Sequence, residues 1–231
     1  MKNPELTLTL ETQSAKEPLT FIVERLVCAG WVGRDKSAVQ AHVEELAQLG
    51  IPGPSRTPTY MNYSPYLATT EASIDVVGPD SSGEVEYVIL KRDGKLYIGV
   101  GSDHTDREME KHSIPGSKQM CAKVLAPVVW PYEEIRSHWD RIILRSWTRR
   151  ETEQVLYQEG TLGTILDAER ILNGLPADEG LPTEGMLIFC GTVATKMGLI
   201  FSDRFDFELE DPVLKRSIRY GYVIRMLPQY L

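Results

Sequence analysis

Two acidic residues set two apart inside an apolar run are the most chemically suggestive feature of this chain. Glu84 and Glu86 lie in Ser81-Ser-Gly-Glu-Val-Glu-Tyr-Val-Ile-Leu90. In a strand, residues two apart project to one face, so both carboxylates point together. Like charges that close repel one another unless a cation neutralises them. Further on, Asp93-Gly94 signals a tight hairpin, and the strand after it runs into Gly101-Ser-Asp-His-Thr-Asp-Arg107. That return strand can bring Asp103 back beside Glu84 and Glu86. Carboxylate ligands of this kind suit Mg²⁺ or Mn²⁺, with Ca²⁺ as a further option, better than zinc. On spacing alone, a solvated strand face remains the simpler account of Glu84 and Glu86.

Other residues are candidates for supporting roles. His42 and Glu45 are three apart on an expected helix, where a carboxylate can orient and charge an imidazole. A surface pair is the plainer alternative. His104 follows Asp103 and is either a group behind the metal ligand or a packed turn residue. Lys123 precedes Val124-Leu125, so its amine either faces the site from an apolar wall or is exposed at a strand start. Tyr60 and Tyr63 follow a Pro-rich loop and are candidates for the mouth of a pocket. His112 and His138 have no partner at a telling spacing. Trp130, Trp139 and Trp147 suit the core or a subunit interface. Cys28, Cys121 and Cys190 are far apart and form no CxxC pair, so each reads as a small buried hydrophobe.

The elements that must position these groups are mostly strands. Residues 5–10 alternate with period two, and 20–28 is β-branched and aromatic, running on to Gly30. Asp35 can cap a helix reaching about Leu49, stopped by Gly50. The Pro- and Gly-rich stretch 51–60 reads as loop. Strands are expected at 73–77, 84–91, 95–100, 124–130, 140–146, 154–158, 186–190, 204–210 and 218–226. A helical turn capped by Asp103 or Thr105 is expected within 103–112, and a small helix at 166–173 with Asp167 as its cap. The class is α+β, strand-rich, with a rolled or sandwiched sheet.

Composition narrows the function classes. The 231 residues are 42% hydrophobic and 25% charged, the proportions of a globular protein that needs no staple. Acidic residues outnumber basic ones 33 to 25, a formal charge of −8, so a footprint for nucleic acid is missing. No apolar run approaches the ~18 residues of a membrane span, and no apolar signal core opens the chain. The expected location is cytoplasmic.

The ordered motifs carry a family resemblance. Glu84-Val-Glu86 followed by Ser102-Asp-His-Thr-Asp-Arg107 resembles the ExE … NDxSAR signature of the fumarylacetoacetate hydrolase superfamily. The resemblance implies that Glu84, Glu86 and Asp103 hold the catalytic metal. Arg107, four after Asp103, and Lys123, twenty after it, match the family's arginine and substrate-facing lysine. Met186-Leu-Ile-Phe-Cys-Gly-Thr192 resembles its apolar strand ending in Gly-Thr, which implies that Gly191 and Thr192 meet the substrate. Gly33-Arg34 followed by His42-Val-Glu-Glu45 resembles the opening of smaller members and implies a water-activating His42–Glu45 dyad. With Ala29-Gly-Trp-Val-Gly-Arg-Asp35 and Ser117-Lys-Gln-Met-Cys121, the pattern is similar to a compact bacterial branch of that superfamily.

The chain departs from the family at some positions. Glu110 stands where the family often has Gln, and it either pairs with Arg107 or faces the pocket. The stretch before Asp103 is shorter than usual. The implied fold is a mixed β-sandwich roll of the fumarylacetoacetate hydrolase C-terminal domain type, with a few short helices. The implied organisation is one domain over 1–231, with N-terminal strands and helix over 1–60 and a metal-binding β-roll over 61–231. The implied activity is hydrolytic cleavage of a carbon–carbon bond in a small dicarbonyl or oxo-acid catabolite, through an enolate stabilised by the metal. Decarboxylation, keto–enol isomerisation, hydrolysis of an amide-type C–N bond and a non-catalytic binding role stay open as alternatives. The resemblance also implies a homodimer.

Overall fold

The computed structural model describes residues 2–48, 53–177 and 180–229; the side chains of residue 42 and residues 45–48 lie outside that description. Among the described residues, strands gather into a ten-stranded mixed sheet, a five-stranded sheet and a two-stranded pair. The large sheet runs in the order Lys16–Ile22, Glu5–Glu11, Val128–Pro131, Lys95–Asp103, Val85–Arg92, Met186–Thr192, Arg25–Gly30 and Thr59–Tyr63. Lys123–Leu125 pairs beside the end of Lys95–Asp103 and with Ala68–Thr69. The five-stranded sheet is Glu153–Thr161, Ile143–Arg150, Arg204–Asp211, Arg216–Met226 and Ser73–Val76. This is a strand-rich α+β fold, as the period-two patterning implies.

The central strand Val85–Arg92 explains the architecture. Its residues Val85, Tyr87 and Ile89 enter one apolar cluster, which includes Phe205, Phe207 and Tyr222 of the five-stranded sheet. Val88 and Leu90 enter a second cluster with Phe21, Leu26 and Phe189. A strand covered on both faces needs a continuous apolar run, and Val85–Leu90 supplies one interrupted only by Glu86. A buried carboxylate in such a strand is costly unless it is matched by cations or donors. The hairpin at Asp93-Gly94 has φ of 52° and 70° at its two central residues, as a type I′ turn requires. It sets the register Glu86↔Gly101 and Val85↔Ser102, with the Asp103 amide donating to the Glu84 carbonyl at 3.0 Å.

Several expected elements are divided or shifted. The strand expected at 20–28 is two, Lys16–Ile22 and Arg25–Gly30. The chain turns at Val23–Glu24, where the Glu24 and Arg25 amides both donate to the Gly185 carbonyl. It thereby leaves antiparallel pairing with Glu5–Glu11 for parallel pairing with Met186–Thr192. The strand expected at 124–130 divides into Lys123–Leu125 and Val128–Pro131, because Pro127 has no amide to continue a ladder. Thr59–Tyr63 is a strand that the preceding prolines concealed. The strand expected at 140–146 starts later, at Ile143–Arg150, behind a 3₁₀ helix at Arg136–Arg141. The helix Lys36–Gln48 forms as expected, with Asp35 Oδ1 accepting from the Ser37 and Ala38 amides. Ala168–Gly174 is likewise capped by Asp167. Trp130 and Trp139 are core residues, whereas Trp147 is half-buried with the Arg219 guanidinium 4.6 Å from its ring.

Candidate metal centre

The hairpin register brings Glu84, Glu86 and Asp103 to one place on the large sheet. Each offers an oxygen within 4.8 Å of the others. Glu86 and Asp103 are buried and Glu84 is partly so. Around them stand three cations. The Lys118 ammonium lies 2.5 Å from Asp103 Oδ2 and 3.0 Å from Glu84 Oε2. Lys123 Nζ is 2.8 Å from Asp103 Oδ1 and donates to the His104 carbonyl at 2.7 Å. Arg107 lies 3.1 Å from Glu84 Oε1 and 2.9 Å from Glu110 Oε2, and its Nε donates to Ser82 Oγ at 2.8 Å.

The electrostatics divide the carboxylates. Burial pushes the Asp103 carboxyl up, but Lys118 and Lys123 outweigh it and hold the group below the usual carboxylate range. Glu84 is also lowered, with burial overcome by Lys118 and Arg107. Glu86 goes the other way. Burial, then the Asp103 charge, raise it well above the ordinary value, although the Gly191 amide donates to its Oε2 at 2.8 Å. Both Asp103 oxygens are buried and each faces an ammonium, Oδ2 that of Lys118 and Oδ1 that of Lys123. An all-oxygen donor set that includes a buried, under-neutralised glutamate fits a hard divalent cation. Glu84, Glu86 and Asp103 are the residues that could hold it.

The structure separates the remaining expected residues into those near the centre and those behind it. Gly191 reaches it through the amide bond to Glu86. Thr192 Oγ1 donates to the Val85 carbonyl at 2.7 Å and accepts from Gln158 Nε2 at 2.7 Å. Glu110 pairs with Arg107. Lys123 is fully buried against Asp103 with the Tyr63 ring 6.0 Å away, rather than exposed at a strand start. The Tyr60 hydroxyl donates to the Ile171 carbonyl at 2.9 Å, which ties it to the helix Ala168–Gly174. The expected cap at Asp103 or Thr105 is instead Asp106, whose side chain accepts from the Met109 amide ahead of the helix Arg107–Glu110. The side chains of His42 and Glu45 lie outside the described residues.

The sequence reading missed the role of Lys118 and the partners of His104 and His138. Lys118 sits on the short helix Ile114–Gln119, capped by Ser113, and nothing in its spacing from Asp103 marks it as special. A buried chain of polar groups holds the ligand loop from behind. His104 Nδ1 and Ser102 Oγ each lie 2.8 Å from the Tyr222 hydroxyl, and His104 Nε2 lies 3.0 Å from Ser81 Oγ. Burial pushes the His104 imidazole down to about 3, so it is neutral near pH 7. His138, with no partner legible in sequence, lies 3.0 Å from Asp211.

A family model described as "Protein of unknown function (DUF2848)" matches residues 29–222. The chain belongs to that family. No curated protein matches the sequence. Solved structures share the fold at low identity. Cg1458 with an inhibitor superposes with a TM-score of 0.64 at 15% identity, over 96% of this chain and 89% of that one. Yeast ynq8, a fumarylacetoacetate hydrolase family protein, gives 0.61 at 15% identity, over 90% and 96%. A 2-keto-3-deoxy-D-arabinonate dehydratase complexed with magnesium and 2,5-dioxopentanoate gives 0.62 at 15% identity, over 92% and 77%. This DUF2848 member therefore has the fumarylacetoacetate hydrolase fold that its motif order implies. Among the described residues no helix is long and apolar enough to cross a membrane.

Proposed function

We propose that the protein is a divalent-cation-dependent enzyme acting on a small dicarbonyl compound or oxo acid, with hydrolytic carbon–carbon cleavage as its reaction. The observation that carries this reading is the convergence of Glu84, Glu86 and Asp103 within 4.8 Å of one another in a largely buried setting. A bound Mg²⁺ or Mn²⁺ would supply Lewis acidity toward a substrate's carbonyl oxygens. Lys118 touches two of the three carboxylates and is less enclosed than Lys123, its side chain being 11% exposed. It is the amine we assign to the substrate, as donor to an oxygen that gains negative charge. Lys123 keeps Asp103 ionised and fixes the His104 carbonyl. Gly191 orients Glu86, Thr192 carries a hydroxyl at the same end of the strand, and Arg107 orients Glu84. Tyr60 braces the wall on the helix side. His42, held by Glu45, is assigned the proton taken from water. The protein is read as one domain over 1–231, a cytoplasmic homodimer of bacterial catabolism.

One observation favours a second reading. A magnesium-bound neighbour of the same fold is a dehydratase, and loss of water or carbon dioxide needs the same cation but no attacking water. Turnover in H₂¹⁸O against a panel of oxo acids and dicarbonyls, with Mg²⁺ or Mn²⁺, decides between them. Hydrolysis places ¹⁸O in the new carboxylate, and His42→Ala lowers kcat by roughly 10²–10⁴. Turnover without ¹⁸O incorporation supports the second reading, and no turnover with any member of the panel counts against both.

A further inference from the structure

We propose that the centre selects substrates bearing a single carboxylate, and that Glu110 is the residue that sets this limit. The proposal rests on the metal-dependent oxo-acid reading above. Glu84, Glu86, Asp103 and Glu110 bring four negative charges to the group, and Lys118, Lys123 and Arg107 bring three positive ones. With a divalent cation bound and all four carboxylates ionised, the sum is an excess of one positive charge. A substrate with one carboxylate cancels the excess, whereas a second carboxylate leaves an uncompensated negative charge in a site of low polarity.

The placement of the cations points the same way. All three Arg107 nitrogens are engaged, Nε by Ser82, Nη1 by Glu110 and Nη2 by Glu84, so its charge is already matched by two protein carboxylates. Lys123 is enclosed behind Asp103 and Lys118 is shared by two ligands. The nearby Lys111 is taken by Glu108. Glu110 is the most exposed of the four carboxylates, its side chain 31% accessible against 20% for Glu84. Its charge therefore stands on the solvent side of the group, where an incoming anion meets it first.

A matched pair of ligands tests this on the full-length protein loaded with Mn²⁺. 2-Oxopentanoate and 2-oxoglutarate have the same chain and differ by a terminal carboxylate. Calorimetric titration of the wild type should show 2-oxopentanoate binding at least about tenfold more tightly, a like-charge penalty that shrinks as salt is raised. Glu110→Gln, which still accepts from Arg107, should narrow or reverse that preference. Equal or tighter binding of 2-oxoglutarate by the wild type overturns the inference and leaves the proposed function standing. An unchanged ratio in Glu110→Gln overturns the role of Glu110. If the protein binds neither acid, and Mn²⁺ does not raise its melting temperature, the metal-dependent reading itself fails and this inference falls with it.

Discussion

Lys118 carries its ammonium to within 2.5 Å of Asp103 Oδ2, and it reaches there from a short helix fifteen residues further along the chain. The contact neutralises part of a negative group that the fold has largely closed off from water. It also makes Lys118 a competitor for the oxygens that a divalent cation would take. Lys118→Met should therefore lower the stability of the metal-free protein by about 3–5 kcal/mol, the usual cost of stripping one partner from a buried pair. Saturating Mn²⁺ should recover much of that loss, and Mn²⁺ affinity should be at least as high as in the wild type. Turnover should fall by roughly 10²–10³. Denaturant melts with and without Mn²⁺, beside kcat, read all of this; wild-type turnover would remove Lys118 from the reaction.

Glu86 gives the direct test of the centre. Its carboxyl is raised by burial and by the Asp103 charge, so it holds a proton more tightly than an ordinary glutamate until a cation displaces it. Cation binding should release a proton, seen as a buffer-dependent heat in calorimetry. The thoroughly chelated wild type should gain about 2.7 kcal/mol when metal is raised to ~100 times its dissociation constant. Glu86→Ala should lose both signals. A wild type whose melting curve ignores Mg²⁺ and Mn²⁺ would refute the assignment of all three ligands.

Glu84, Glu86 and Asp103 were legible because their placement depends on strand periodicity and one hairpin turn, both local properties. The burial of Glu86, which rules out a solvated strand face, comes from the sheet packing and was not itself legible. Lys118 was not legible, because its approach depends on how the helix Ile114–Gln119 packs back on the return strand. The position of Lys123 beside Asp103 was legible only through the family spacing. Its distance along the chain matched the family lysine, and pairing of Lys123–Leu125 with Lys95–Asp103 sets it opposite Asp103. The division of 20–28 depends on Gly185, more than 150 residues away in sequence, and no local pattern announces it. Tyr222 reaches Ser102 and His104 from the other sheet, and a tyrosine in an alternating strand reads simply as core.

His104 fixes the expected acid response. Burial holds its folded pKa at about 3, against an ordinary value near 6.5. Between those values the unfolded chain takes up a proton that the folded protein refuses. Stability should therefore fall as pH drops below about 6.5, by at most about 1.4 kcal/mol per pH unit for one proton. Glu86 acts in the opposite sense in the metal-free protein, because its raised pKa favours the folded state as pH falls toward the ordinary carboxylate value. The His104 contribution is isolated by subtraction. Chemical denaturation of His104→Gln and of the wild type, from pH 7 to pH 4.5, should give a difference curve that declines toward acid. A flat difference would mean that burial does not hold the imidazole neutral.

Gly191 supplies the last prediction, because its backbone and its ligand contact are inseparable. Its φ is +80°, where a side chain is strained, and an added Cβ would stand 2.1 Å from Val32 Cγ2. Its amide donates to Glu86 Oε2, a bond that favours the ionised form of that glutamate. Gly191→Ala should cost about 1–2 kcal/mol from the left-handed backbone alone and about 1–3 kcal/mol more from overpacking against Val32. As the turn shifts, Glu86 loses a donor and its pKa rises further. Protons then compete better with the cation, so half-saturation at fixed Mn²⁺ should move to higher pH. Adding Val32→Ala makes room for the new Cβ. The double variant should recover the overpacking cost and much of the metal affinity, keeping only the backbone strain. If Gly191→Ala binds Mn²⁺ with the wild-type pH dependence, Glu86 does not depend on the Gly191 amide, and the Gly191-Thr192 turn is a packing feature rather than part of the metal centre.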